Sequence, residues 1–114
     1  VCAPSLNFLM EKIMIFMCTY QTDRDKQADT QEFFANMTEE QISGEHPDGV
    51  KQIGRWHDIP NGNGWMVVET DNQEALTSWI MGWSGMATFP TVTPVVGDDT
   101  ARKLVKAMIA SQQG

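Results

Sequence analysis

His57 is one of two histidines in the chain and stands in the stretch VKQIGRWHDIP, two residues after Arg55. In an extended strand, positions two apart share a face, so Arg55 and His57 point the same way. A neutral imidazole takes or returns a proton near pH 7, and a guanidinium offers a fork of donors. Together the two suit a carboxylate, a phosphate or an enolate. The competing structural reading is a histidine satisfied by backbone, with Arg55 extending its stem toward the sheet edge. Glu69 is a second catalytic candidate, a carboxylate inside the apolar stretch GWMVVET. Burial there would raise its pKa toward that of a general base. A salt bridge across a subunit boundary is the plainer role. Four tryptophans, Trp56, Trp65, Trp79 and Trp83, are many for 114 residues. Trp79 and Trp83 lie four apart, one helical turn, and could wall a flat organic ligand beside Arg55 or simply pack a core. Trp56, Trp65 and Val67 share one strand face and are read as a dimer seam.

Other chemistries find little support. No HxH, HxxxH or CxxC spacing accompanies His46 and His57, so no metal site is expected. His46, flanked by Glu45 and near Asp48, reads as a solvated loop residue. Haem held at His57 or His46 is a remote third reading, and no resident cofactor is implied. Gly62-x-Gly64 precedes a strand rather than a helix, so it is not a phosphate cradle. The formal charge of −7 argues against nucleic acid or an anionic membrane as partner. No apolar run reaches the length of a membrane span. Of the two cysteines, Cys2 and Cys18, the second sits in an apolar run and reads as a small buried hydrophobe. Cytoplasmic localisation is the matching expectation.

The elements that must position these residues follow from patterning. Residues 1–11 read as an extension, residues 12–97 as the domain, and residues 98–114 as a C-terminal helix and tail. Residues 12–20 are almost wholly apolar and predict a strand buried on both faces. Residues 23–42 predict a weak amphipathic helix, with Thr38 and Gln41 forming a capping box that starts a second short turn. Residues 50–60 and 64–70 predict a hairpin closed by Gly62-Asn63, which sets Trp56 opposite Glu69 and His57 opposite Val68. On that register His57 and Glu69 point to opposite faces. Asp71 and Glu74 predict the start of a helix whose stripe is Ala75, Leu76, Trp79, Ile80 and Trp83. Residues 88–96 are β-rich, but Pro90 and Pro94 demote them to an edge strand or to a strand with irregular ends. Asp98 to Thr100 cap a last helix with an apolar stripe at Ala101, Leu104, Val105, Met108 and Ile109.

The order βαββαβ predicts an α+β, ferredoxin-like plait with a four-stranded antiparallel sheet, two helices on one face and an extra C-terminal helix. The bare face carries Trp and Val, which two copies would cover by packing their sheets face to face. Gly54-Arg55-Trp56-His57, Val68-Glu69-Thr70-Asp71, the Trp79 and Trp83 pair and Val92-Thr93-Pro94-Val95 resemble the dimeric α/β-barrel superfamily, and more closely its small uncharacterised bacterial members. That superfamily includes cofactor-free monooxygenases, stress-responsive proteins and haem-dependent enzymes. The resemblance implies a homodimer with a small organic molecule bound between sheet and helices, possible chemistry being cofactor-independent oxygenation of a phenolic or enolic substrate. The alternative is a non-catalytic dimeric module for regulation or protein contact.

Overall fold

The computed structural model describes residues 13–113. Expectations for residues 1–11 therefore lie outside the described residues. The elements run β1 (Met14–Thr22), a 3-10 turn (Arg24–Lys26), α1 (Gln27–Ala35), α2 (Glu39–Ser43), β2 (Val50–Asp58), β3 (Asn63–Thr70), α3 (Gln73–Met81), β4 (Ala87–Val95) and α4 (Asp98–Gln113). One antiparallel sheet holds all four strands in the order β2-β3-β1-β4. Each of the two helical crossovers steps over one strand, which makes the fold a ferredoxin-like plait with an appended helix. β4 lies on an edge, where Pro90 and Pro94 leave no ladder donor missing from a central strand. Its register against β1 shifts between Thr19 and Gln21, so Phe89 and Pro90 both fall opposite Tyr20.

Burial alternates along the strands. Phe16, Cys18, Met66 and Val68 point beneath the helices and join Val50, Leu76 and Trp79 in one core. α1 and α3 cover that face: Leu76 and Trp79 are buried in α3, and Thr30 of α1 donates from its hydroxyl to the Met86 carbonyl at 3.3 Å. Met17, Trp56 and Trp65 point the other way and are exposed. The sequence expectation of burial on both faces is thus met on one face only within a single chain. A strand rich in apolar residues does not by itself supply its second cover.

The β2–β3 hairpin corrects the predicted register. Asp58 pairs with Asn63, so residues 59–62 form a four-residue loop rather than a tight turn at Gly62-Asn63. Gly62 closes the loop with φ +72° and donates its N–H to the Asp58 carbonyl at 3.0 Å. Its own carbonyl accepts from the Thr22 N–H and hydroxyl, pinning the loop to the end of β1. Trp56 consequently faces Trp65, not Glu69, and His57 faces Gly64, not Val68. The slip is an even number of residues, so each side chain between Gly54 and Asp58 keeps its predicted face. A bulge at Ile53 then brings Lys51 opposite Glu69.

Caps are local and partly as predicted. Thr38 and Gln41 form the reciprocal capping box of α2. α3 is capped by Asn72 rather than Asp71: the Asn72 side chain accepts from the Ala75 N–H at 3.1 Å, and Thr70 Oγ1 accepts from the Asn72 N–H at 2.9 Å. Asp98 to Thr100 form the first turn of α4 instead of preceding it, with the Ala101 N–H donating to the Gly97 carbonyl at 2.9 Å. Two acidic residues in that turn suit the helix dipole. No described residue of α4 is buried, and its stripe of Leu104, Val105, Met108 and Ile109 lies open.

Leu76→Ala should lower the unfolding free energy by about 2–5 kcal/mol, the usual loss for emptying a closed core site. A urea titration measures it, and a loss under about 1 kcal/mol would mean that α3 does not seal the core.

Candidate functional site

A cavity of about 280 Å³ opens between the covered sheet face and the helices. Its sheet wall is Tyr20 from β1, Met66 from β3, Arg55 and His57 from β2, and Phe89 from β4. Phe34 from α1 and Trp79 from α3 close it from above. The lining is overwhelmingly apolar and aromatic, so each polar atom in it counts.

Gly64 is the reason that two of those polar atoms meet. In register, Tyr20 on β1 and His57 on β2 both face Gly64 on the strand between them. A side chain at 64 would stand where the Tyr20 ring lies. With none there, the two rings lean together across β3 and Tyr20 Oη meets His57 Nδ1 at 2.5 Å. Burial raises the Tyr20 pKa, with Asp58 adding to the rise and Arg55 opposing it. The phenol therefore keeps its proton, and among the described residues its hydroxyl has one acceptor, His57 Nδ1. Were Nδ1 the protonated nitrogen, the phenolic hydrogen would be stranded in an apolar space. The hydrogen-bond network thus assigns Nδ1 as acceptor and leaves the imidazole proton on Nε2. The His57 pKa is lowered by burial and by the nearby Arg55 charge, against a smaller opposing effect of Glu45, so the neutral ring is favoured.

Arg55 lines the cavity, but two of its five N–H groups already serve a carboxylate. Nη1 donates to Glu45 Oε2 at 2.6 Å and Nη2 to Glu45 Oε1 at 2.9 Å. The guanidinium carbon lies 5.1 Å from the Phe34 ring centroid. A bidentate, mostly buried pair of this kind presents little net charge to the cavity. Arg55 thus faces the cavity as half of an ion pair rather than as the unpaired cation expected.

Trp79 and Trp83 both line the cavity, Trp83 from the turn after α3 rather than from the helix. Trp79 Nε1 is buried without a hydrogen-bond partner among the described residues. Its indole stacks on His46, ring centroids 4.9 Å apart. His46 is therefore half-buried packing, with Nε2 3.1 Å from Gln52 Oε1, and not the solvated loop residue expected. Glu69 stands on the opposite sheet face from His57, between Lys51 and Ile15 in register, and does not line the cavity. Trp56, Trp65 and Val67 lie on that same uncovered face. Cys18 is buried, and desolvation pushes its thiol up to about 11, which leaves it unreactive. Among the described residues no group of three His, Cys, Asp or Glu could hold a metal ion. No helix there is long and apolar enough to cross a membrane.

The family comparison follows the same span as the fold. The model of a domain of unknown function, DUF3303, matches residues 14–109. The chain belongs to the DUF3303 family. No curated protein and no solved structure matches it. Family membership in DUF3303 therefore covers sheet, cavity and most of α4 without assigning an activity.

Sequence reasoning found His57, Arg55, Trp79 and Trp83 as cavity residues but missed Tyr20 and Phe34 in the lining and Glu45 behind Arg55. A signal for Tyr20 exists: an isolated glycine inside a strand marks close approach of something else. It becomes readable only in the true register.

Two outcomes are expected. Gly64→Ala should force the Tyr20 ring away from His57 and cost about 1–3 kcal/mol, as overpacking does, and its crystal structure should show the Oη–Nδ1 contact broken. For pH, a folded pKa below the ordinary 6.5 means that the unfolded chain binds this proton first as pH falls. His57 should therefore contribute stability above pH 6.5 that is lost as pH drops toward the lower folded value. Chemical denaturation across this window should show a shallower pH dependence in His57→Gln than in wild type.

Proposed function

We propose that this chain binds a small, flat, mainly apolar organic molecule between its sheet and helices. The observation that carries this reading is the aromatic cavity of about 280 Å³ with the Tyr20–His57 pair set into its wall. An engineered apolar cavity of roughly 150 Å³ holds benzene, so this one has room for a two-ring system. The cavity sits near the lower end of known small-molecule pockets, roughly 300–1,000 Å³. In an enzymatic form of the same reading, Tyr20 Oη takes a proton from a phenolic or enolic ligand while its own proton passes to His57 Nδ1. The resulting anion gives one electron to molecular oxygen, the ligand radical and superoxide join in a C–O bond, and the proton held on His57 returns through Tyr20 to leave a ligand hydroperoxide, with O2 as the only oxidant.

The homodimer belongs to this proposal. The uncovered sheet face places Met17, Trp56 and Trp65 together, with Trp56 directly opposite Trp65. An exposed apolar surface of this kind marks a contact site. The second reading, a non-catalytic dimeric module, is favoured by one observation of its own, the open apolar stripe of α4. In the pairing proposed here two copies bring their open faces together and the cavities remain on the outer side of each sheet.

A thermal-shift panel of flat aromatic compounds, run on wild type and His57→Ala, separates the readings. A ligand at 100 times its Kd stabilises the native state by about 2.7 kcal/mol. A rise in Tm that is lost in the variant supports the pocket, and no shift across the panel leaves the interaction module. For the assembly, light scattering should give the mass of two chains for wild type and of one chain for Trp65→Lys. Wild type eluting with the mass of a single chain would overturn the dimer.

A further inference from the structure

The polar atoms around the cavity divide sharply into those already used and those left over. Thr22 donates its hydroxyl to the Gly62 carbonyl, Thr30 to the Met86 carbonyl, and Gln31 its amide to the Ile59 carbonyl at 3.0 Å. Tyr20 spends its proton on His57, and Arg55 gives two of its five N–H groups to Glu45. Beyond the Arg55 N–H groups that Glu45 does not take, two groups remain without a partner among the described residues. One is Trp79 Nε1, buried and unpaired. The other is His57 Nε2, which carries the imidazole proton once Nδ1 accepts from Tyr20. Both are N–H donors.

Charge is settled by the same census. The one guanidinium in the lining is matched by a carboxylate across two hydrogen bonds, and no other charged side chain lines the cavity. A carboxylate ligand entering here would lose its water and gain no free cation. A hydrocarbon would fit the walls but leave the buried Trp79 N–H unsatisfied.

We infer that the cavity selects an uncharged, flat, two-ring molecule bearing a carbonyl oxygen, which accepts from the buried N–H of Trp79 or from the outward-facing N–H of His57, and that the Glu45–Arg55 pair excludes the corresponding carboxylate. This rests on the pocket reading above and goes further by fixing the ligand's charge and its hydrogen-bonding sense. A planar ketone is matched to donors without needing a counter-ion. Glu45 acts through Arg55: it sets the charge the ligand meets and does not itself line the cavity.

Three probes with one ring system test it on the full chain at neutral pH: 2-acetylnaphthalene, 2-methylnaphthalene and 2-naphthoate. Affinities are read by isothermal titration calorimetry. The ketone should bind about tenfold or more tighter than the methyl compound, the fold-change of a single satisfied donor, and tighter than naphthoate by at least as much. Glu45→Gln should leave the ketone's affinity in place and raise that of naphthoate about tenfold, because Arg55 is then uncompensated. Trp79→Phe and His57→Phe each keep an aromatic ring, and one of them should bring the ketone down to the level of the methyl compound. Naphthoate binding wild type as tightly as the ketone overturns the inference while leaving the pocket standing. So does equal binding of the ketone and the methyl compound. Binding of none of the three removes the inference together with the pocket reading beneath it.

Discussion

Tyr20 and His57 come from strands that do not touch, and they meet only because the strand between them carries Gly64 at the shared register position. Much of the site follows from that gap. The contact fixes which imidazole nitrogen accepts, and so which nitrogen faces outward as a donor. It holds two polar side chains in an otherwise apolar wall, where each would be costly alone. It also ties the site to the hairpin loop, since the register that sets Gly64 opposite His57 is enforced by Gly62 closing residues 59–62 against Thr22.

Around this pair the electrostatics are those of a quiet interior. The chain as a whole is acidic, with formal charge −7, yet the cavity holds one cation and that cation is matched. Glu45 reaches Arg55 from the loop after α2, so a segment with strong turn signals and no regular structure neutralises the sheet's only inward guanidinium. His46, the next residue, stacks on Trp79 and holds the indole from outside. The loop thus acts on the cavity twice, once through charge and once through packing.

The two faces of the sheet differ in how their burial is achieved. The inner face is sealed within the chain by α1 and α3 around Met66, Val68 and Leu76, each at most 2% exposed. The outer face, with Trp56 60% exposed and Trp65 47% exposed, is apolar and open. Position within the ladder explains the separation. Residues that alternate along β3 fall either under the helices or away from them, and Glu69 goes outward with Trp65 and Val67. A carboxylate and an imidazole twelve residues apart in sequence therefore stand back to back through the sheet.

The residue pattern alone determined the plait: strand and helix order, the edge placement of the proline-bearing β4, the α2 capping box, and the face on which each residue from Gly54 to Asp58 stands. These are legible because they depend on local periodicity, on caps three residues long, and on the parity of a strand, which survives an even slip in register. The site was legible in part, through His57, Arg55, Trp79 and Trp83. Tertiary structure alone decided the rest. The hairpin register depended on Gly62 bonding to Thr22, forty residues away in sequence. Tyr20 could join His57 only through that register, and Glu45 could cancel Arg55 only once the loop had folded back onto β2. Each of those events pairs residues distant in sequence. No local pattern encodes such a pairing, because its energy comes from contacts that exist only after the sheet has formed.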